Sequence, residues 1–248
     1  MKTLKTLFIL CIFGFANNAS AQTIVTDRPC QTEATNTIPK GSFQVESGLI
    51  LMYSGSTTEK EKNILLPSSV FRYGISNTVE LRMVHEYNIQ EFSNDKDKGT
   101  EAGIGDLQLG AKLFILDSEK TQISFLSHLV LPTGNAFFTH DDYAVKNKLI
   151  LGHVLGPKVG IAYNLGYDYF DESTFTYSFA LNFNLTKDLL ISIEPYGSFD
   201  DEGDHLSNFN TGLIYLLKNN LQFDFSFGLG MNNTMNYTSV GISWNIPR

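Results

Sequence analysis

Residues 221–229 read Leu-Gln-Phe-Asp-Phe-Ser-Phe-Gly-Leu, with Leu221, Phe223, Phe225, Phe227 and Leu229 on one side of the alternation and Gln222, Asp224, Ser226 and Gly228 on the other. Side chains alternate with period two only in an extended chain, so this is a strand with one apolar and one polar face. Phe175 to Leu185 repeats the pattern, with Phe175, Tyr177, Phe179, Leu181, Phe183 and Leu185 opposite Thr176, Ser178, Ala180, Asn182 and Asn184. Leu107, Leu109, Ala111 and Leu113 alternate with Asp106, Gln108, Gly110 and Lys112, and Val79, Leu81 and Met83 oppose Glu80, Arg82 and Val84.

About twelve such runs can be laid out: 43–53, 64–75, 78–91, 103–115, 120–131, 145–154, 158–170, 174–185, 189–199, 207–217, 220–229 and 237–246. Most reach the roughly 9 to 11 residues that a tilted strand needs to cross a bilayer. Every second connection is a tight polar turn: Ser76-Asn77, Asp117 to Glu119, Gly156-Pro157, Thr186 to Asp188 and Lys218-Asn219. The others, SGSTTEKEKN, SNDKDKGTEA, PTGNAFFTHDDY, FDES, DDEGDH and GMNNTMN, are hydrophilic and mostly longer. A membrane barrel with both ends in the periplasm has short turns there and long loops outside. A soluble sandwich also uses period-two strands, but it shelters its apolar face and does not require this alternation of connections. The expected fold is therefore an all-β antiparallel transmembrane barrel of about twelve strands, with Phe and Leu facing lipid. Tyr53, Tyr87, Tyr167, Tyr169, Tyr196, Tyr237 and Trp244 fall near the ends of runs, where amphipathic rings favour the headgroup level.

Composition agrees. The chain is 42% hydrophobic and 12% aromatic, with 20 Gly, 19 Phe and 11 Tyr, which suits β-structure better than helix. Past the amino terminus no apolar stretch is long enough for a membrane helix. The first residues carry Lys2 and Lys5, an apolar core from Leu7 to Phe15 and Ala19-Ser20-Ala21, the layout of a signal peptide (1–21) cleaved before Gln22. Its removal leaves Cys30 as the single cysteine, so no internal disulfide is expected. The formal charge of −8 becomes about −10 once Lys2 and Lys5 are gone. Without a basic patch, such a chain is no nucleic-acid partner.

The segment that opens the mature chain, Thr26-Asp27-Arg28-Pro29, then Gln31-Thr32-Glu33, then Pro39-Lys40-Gly41 and Phe43-Gln44-Val45-Glu46-Ser47-Gly48, resembles the opening of a family of outer-membrane transporters of Gram-negative bacteria, Bacteroidota especially. That family is labelled for the meta-pathway of phenol degradation. Gly103-Ile-Gly-Asp-Leu-Gln-Leu-Gly-Ala-Lys112 and Leu129-Val-Leu-Pro-Thr-Gly134 resemble two further signatures of it. The resemblance runs from about Thr26 to the end of the chain. It implies a barrel that passes small, aromatic or otherwise hydrophobic molecules.

The chain divides into the signal peptide, a polar lead at 22–42 and the barrel domain at 43–248. The lead lacks hydrophobic period and carries Pro29, which keeps it extended and unable to lengthen the sheet. Two readings stand: a solvated tail with Pro39-Lys40-Gly41 as an entry turn, or a plug in which Asp27, Arg28 and Glu33 enter the lumen and pair with inward groups such as Glu46, Glu80, Arg82 and Glu86, Arg28 offering its planar fork to one or two carboxylates. The inward set expected to line the lumen is Gln44, Glu46, Glu80, Arg82, Glu86, Asp106, Gln108, Lys112, Asn164, Asp168, Asn182, Glu194, Asn210, Gln222 and Asp224.

Catalytic chemistry finds little support. His140-Asp141-Asp142 sits in the longest outer loop, but no serine context of a nucleophile accompanies it. His128 falls inward beside Ser124 and reads as a lumen residue; His85, His153 and His205 lack metal-ligand spacing. Asp200-Asp201-Glu202-Gly203-Asp204 lacks the ordered oxygen spacing of a calcium loop. Gly103 and Gly105 read as strand glycines that permit curvature or leave lumen space. The expectation is an outer-membrane channel for small molecules, not an enzyme, with no cofactor and no metal. Its partners are outer-membrane lipid, a small solute and the barrel-insertion machinery. A sealed structural or adhesion barrel is the alternative, and a lipid-modifying barrel enzyme the third.

Overall fold

A computed structural model describes residues 24–56, 58–94 and 97–247. The signal-peptide segment lies outside them. Thirteen strand segments follow in order: β1 (Phe43–Gly55), β2 (Lys60–Gly74), β3 (Val79–Ser93), β4 (Lys98–Ile104), β5 (Leu107–Asp117), β6 (Thr121–Leu131) and β7 (Ala144–Gly156), then β8 (Val159–Phe170), β9 (Glu172–Asn184), β10 (Leu189–Asp200), β11 (His205–Lys218), β12 (Leu221–Gly230) and β13 (Met235–Ile246). Neighbours pair antiparallel, β1 closes on β13 with Phe43 opposite Ile246, and β2 also pairs β3, so the sheet has no open end round its circumference. β4 and β5 both pair with β3 and are two stretches of one strand, which makes twelve barrel strands.

Closure is what lets a sheet sit in hydrocarbon, because each backbone polar group then finds a neighbouring strand. The alternation is turned inside out: Phe223, Phe225 and Phe227 are 44%, 46% and 40% exposed, while Gln222, Asp224 and Ser226 between them are 2%, 6% and 0% exposed. The protein is a transmembrane barrel and not a sandwich, since its phenylalanines have no opposing layer and cover the outside.

The tight turns fall at one end, as the pattern requires. At the other end the strands run further than their hydrophobicity indicates. Most of SGSTTEKEKN is strand, with β1 running to Gly55 and β2 starting at Lys60, and FDES shrinks to Asp171, whose φ is 64°. Polar residues there extend the sheet beyond the apolar belt, where water replaces lipid.

Of the rings assigned to the headgroup level, Tyr53, Tyr87, Tyr167, Tyr169 and Trp244 are exposed on the outside, but Tyr237 is 4% exposed and turned inward. Tyr196 shares the inward parity of Ser192 and Glu194. Both rings have the wrong register for a belt and face the lumen.

Candidate functional site

Residues 24–42 lie within the barrel. At one end of the segment the Ile24 N–H donates to the Asn219 carbonyl at 2.6 Å; at the other, Gly41 N–H donates to Gly74 O at 2.7 Å and the Thr37 hydroxyl to Asn77 O at 2.8 Å. All three contacts belong to the short-turn end, so the chain enters the lumen from that side and returns to it. Pro39-Lys40-Gly41 does form a turn into β1, with Ser42 N–H on Pro39 O at 3.0 Å and Gly41 at a φ of 78° that favours glycine. Between these ends the segment rises to the level of Gly48 and Gly241, where a Cβ on either glycine would collide with the Arg28 guanidinium.

Having no strand neighbour, the segment's N–H groups need other acceptors. Wall carboxylates supply them. Glu46 accepts from Asp27 and Arg28 N–H (2.9 and 3.1 Å), Glu194 from Gln31 and Thr32 N–H (2.9 and 2.6 Å), and Glu80 from Ile38 N–H at 2.9 Å. Cations bind the other polarity: Arg72 reaches the Val25 and Asn36 carbonyls (2.9 and 3.3 Å), and Lys112 reaches Ala34 O at 2.8 Å.

The charges form one buried network. Arg72 joins Glu46 (2.7 Å) and Glu80 (2.8 Å) and lies 3.6 Å from Asp27. Arg82 bridges Asp27 and Glu33, the latter at 2.8 Å. Lys112 is 3.4 Å from Asp27 and Lys148 is 3.4 Å from Glu33. Arg28 pairs with Asp224 at 3.1 Å and donates to Ser239 at 2.7 Å. Charge-assisted bonds of this kind are the strong ones, and in a low-dielectric interior each member depends on the others.

Asp27, Arg28 and Glu33 all enter the lumen; Asp27 and Glu33 meet Arg82, one of the groups expected for them, while the Arg28 side chain meets Asp224 instead of Glu46, Glu80 or Glu86. Arg28 meets a single carboxylate, Asp224, while Glu46 holds its main chain. Glu86 accepts from Ser68 at 2.7 Å, away from the segment. The fork across two wall carboxylates, Glu46 and Glu80, belongs to Arg72, absent from the expected set. Its signal was present: Phe71 and Tyr73 place Arg72 on the inward parity, opposite Gln44 and Arg82. The register shift between Leu65 and Ser68, at Pro67, reverses the alternation within the run and hides that parity.

Among the expected lining residues, Gln44, Glu46, Glu80, Arg82, Lys112, Asn164, Glu194, Asn210, Gln222 and Asp224 are buried inside, and Glu86, Gln108, Asp168 and Asn182 are half-buried. Asp106 has a different setting. Its carboxylate accepts from the N–H groups of Thr133, Gly134 and His140 (2.9 Å each), from the Thr139 hydroxyl (2.7 Å) and meets His140 Nδ1 at 2.9 Å. His128 faces inward, but Ser124 donates to the Thr35 carbonyl at 2.5 Å and His128 Nε2 has no partner, so the two are not a catalytic pair. Among the described residues, no group of three His, Cys, Asp or Glu side chains is arranged to hold a metal.

The segment divides the lumen. A cavity of about 660 Å³ on the short-turn side has one apolar wall, Ala162, Ala180, Leu190, Ile214 and Leu216 with Ile24 from the segment, beside Asn182 and Gln222. A cavity of about 310 Å³ on the outer side is lined by Glu86, Gln108, His128, Lys146, Lys148 and Tyr237. Asp27, Arg28, Cys30 and Glu33 line both.

A family model described as "Putative MetA-pathway of phenol degradation" matches residues 26–245. No curated protein sequence matches the chain. Among solved structures, an outer membrane channel from Pseudomonas putida F1 is similar over 88% of this chain and 100% of its own at 12% identity, with a TM-score of 0.72. The KdgM porin in complex with disordered oligogalacturonate is similar over 81% and 98% at 11% identity and a TM-score of 0.56. The NanC porin is similar over 80% and 98% at 9% identity and a TM-score of 0.54.

Proposed function

As this chain belongs to the family whose model covers residues 26–245, we propose that it is an outer-membrane channel for small, weakly polar molecules, with residues 24–42 as a plug that a solute must displace or skirt. One observation carries this reading: the four residues Asp27, Arg28, Cys30 and Glu33 stand between the inner and outer cavities and line both. The apolar wall of the inner cavity supports a solute with an apolar body, because such a surface gains from contact with it what it loses from contact with water. The inward charged set acts in two ways. Glu46, Glu80, Glu194, Arg82, Lys112 and Asp224 hold the plug, while Glu86 and Gln108 line the outer cavity, where a solute arrives. Lipid surrounds the phenylalanine belt, and the barrel-insertion machinery is the partner during assembly. No catalytic step is assigned.

The test is leakage. Arg28→Ala removes the bond that the Arg28 side chain makes to the Asp224 carboxylate and leaves Asp224 without that cation. Small-solute swelling of proteoliposomes should rise severalfold over the parent protein. Unchanged swelling removes the plug reading and leaves the sealed structural barrel. Lipid hydrolysis by purified protein would instead indicate the enzyme.

A further inference from the structure

The lumen holds an inward cation that the plug leaves over. Lys146 and Lys148, on β7, both line the outer cavity of about 310 Å³ and a second cavity of about 280 Å³ beside it, and Gln31 of the segment lines both as well. Among the described carboxylates Lys148 reaches Glu33 alone, at 3.4 Å, with 25% of its side chain still exposed. Lys146 forms no ion pair among the described residues; its ammonium lies 5.3 Å over the Phe170 ring. Asp168 is opposite Lys146 where β7 pairs with β8, yet the two form no ion pair, and Asp168 Oδ1 is buried without a hydrogen-bond partner. The acids that border the outer cavity are already engaged: Asp27 and Glu33 by Arg82, Glu46 by Arg72, and Glu86 by the Ser68 hydroxyl at 2.7 Å. An ammonium withdrawn from water without a counter-ion is costly, so this wall of the cavity gains from an anion that fits it.

The facing wall offers rings. β13 is half the circumference from β7 in the strand order. Its Tyr237 lies across Gly228, at a spacing no Cβ would allow, so the ring rests on the wall and leaves the space before it clear. Tyr196 of β10 stands between the two, lining the smaller cavity. His128, opposite Lys146 where β6 pairs with β7, lies over Gly110 in the same manner and adds no negative charge. Ammonium groups on one side of the outer cavity thus face a tyrosine ring on the other. Glu86, on β3, is a quarter of the circumference from β7, so an anion is drawn toward the lysines and away from it.

We propose that the outer cavity is a binding site for a small monocarboxylate with an apolar, ring-sized body, its carboxylate on Lys146 and Lys148 and its body toward Tyr237, and that this solute unfastens the plug by drawing Lys148 from Glu33. The inference rests on the reading of the lumen as a solute path and narrows the solute to one with a single negative charge. Charge-assisted bonds to two ammonium groups hold the head, and contact with a ring holds the body. The Lys148–Glu33 pair is the most exposed of the ion pairs that hold the segment, so it exchanges partners at the least cost. Once it is lost, Glu33 depends on Arg82, which Asp27 shares. A ligand shifts an equilibrium only by its differential affinity for the two states, and competition with Glu33 for one ammonium supplies that difference. Beyond the plug, the apolar wall of Ala180, Leu190 and Ile214 receives the body.

Cys30, the one cysteine past residue 21, lies in the plug and reports on it. In detergent at neutral pH, binding of 4-fluorobenzoate is read by fluorine NMR, and modification of Cys30 by a cationic, water-soluble thiosulfonate is timed with and without this ligand. The ligand should speed modification about tenfold, the weight of one charge-assisted bond, whereas 4-fluorobenzyl alcohol and 4-fluorobenzylammonium should leave the rate as it is. Lys146→Met should weaken 4-fluorobenzoate binding about tenfold and abolish the acceleration. Lys148→Met should raise modification before any ligand is added, because Glu33 loses a cation, and 4-fluorobenzoate should then add nothing. Barrel mobility in cold SDS gels checks folding of both variants. Equal acceleration by the alcohol would overturn the carboxylate site, and binding without acceleration would overturn its link to the plug. Small-solute swelling of Arg28→Ala proteoliposomes is scored separately: its failure while 4-fluorobenzoate still binds defeats the channel reading alone, and swelling without 4-fluorobenzoate binding defeats this site alone.

Discussion

Two parts of the barrel are fastened by different physics. The inner closure, residues 24–42, is held by carboxylates and cations that water barely reaches: Arg72, Glu46 and Glu80 are each 0% exposed. The outer loop, residues 132–143, hangs on Asp106, whose donors Thr133, Thr139 and His140 border solvent. A buried network is costly to leave half made, because a stranded charge has neither partner nor water. The Asp106 carboxylate is itself 5% exposed, but its donors lie at the solvent edge, so releasing it exchanges one set of hydrogen bonds for another. The inner closure should therefore move as a unit or not at all, and the outer loop should loosen more often.

The harshest way to break that contrast is Arg72→Met. It leaves Glu46 and Glu80 buried without their main cation, and removal of one partner from such a site costs about 3 to 5 kcal/mol. The expected result is a large drop in the unfolding midpoint in detergent together with raised conductance. A midpoint close to that of the parent would mean that Arg82 and Lys112 take over the carboxylates, and the inner closure would be no more cooperative than the outer loop.

Arg72 also marks how far the sequence could be read. Strand number, the inside-out alternation and the end of the barrel that carries short turns were all legible, because each depends on local period and spacing. The entry of Asp27, Arg28 and Glu33 was legible as a possibility, since a polar lead without period has to be solvated by water or by the lumen. Arg82 was legible as an inward group for Asp27 and Glu33, but Asp224 as the partner of Arg28 was not. The two are far apart in sequence, and which charges meet depends on barrel circumference and strand stagger, neither of which a single run encodes. Pro67 concealed Arg72 by shifting register inside one strand, and Tyr237 was assigned to the belt because its position near a strand end says nothing of parity until the register with β1 and β12 is known. The setting of Asp106 was hidden for a similar reason: it lies in an alternating run and reads as lining, and only the interruption between β4 and β5 turns it toward the loop.

A gentler perturbation of the inner closure acts through volume alone. Gly241→Leu keeps every charge but fills the space that the Arg28 guanidinium occupies. Overpacking of this kind costs about 1 to 3 kcal/mol. The main chain of the segment remains held by Glu46 and Glu194, so conductance should rise less than in Arg72→Met while the fold survives. Swelling assays on the two variants side by side check the order; a larger leak from Gly241→Leu would place the critical contact at Arg28 and not at the carboxylate cluster.

The smallest effect belongs to pH at the outer loop, and its sign follows from Asp106. Burial opposes ionisation of this carboxyl, but hydrogen bonds from the His140 main chain and ring, the Thr139 hydroxyl and the Gly134 N–H outweigh it and hold the group well below the usual carboxylate range. A depressed folded pKa means the closed loop binds fewer protons than the open one. Its stabilisation is therefore complete above the ordinary aspartate value of about 3.9 and is lost only as pH falls through the lower folded value. Between about pH 8 and 5 the carboxylate should hold the loop unchanged, and hydrogen-exchange protection of the Thr133, Gly134 and His140 amides should be flat once corrected for intrinsic exchange; release belongs below about pH 4. Asp106→Asn, which removes the charge at neutral pH, should bring the fast exchange of the acid state up to pH 7. A rise in exchange already near pH 6 in the parent would take control of the loop away from the Asp106 carboxylate.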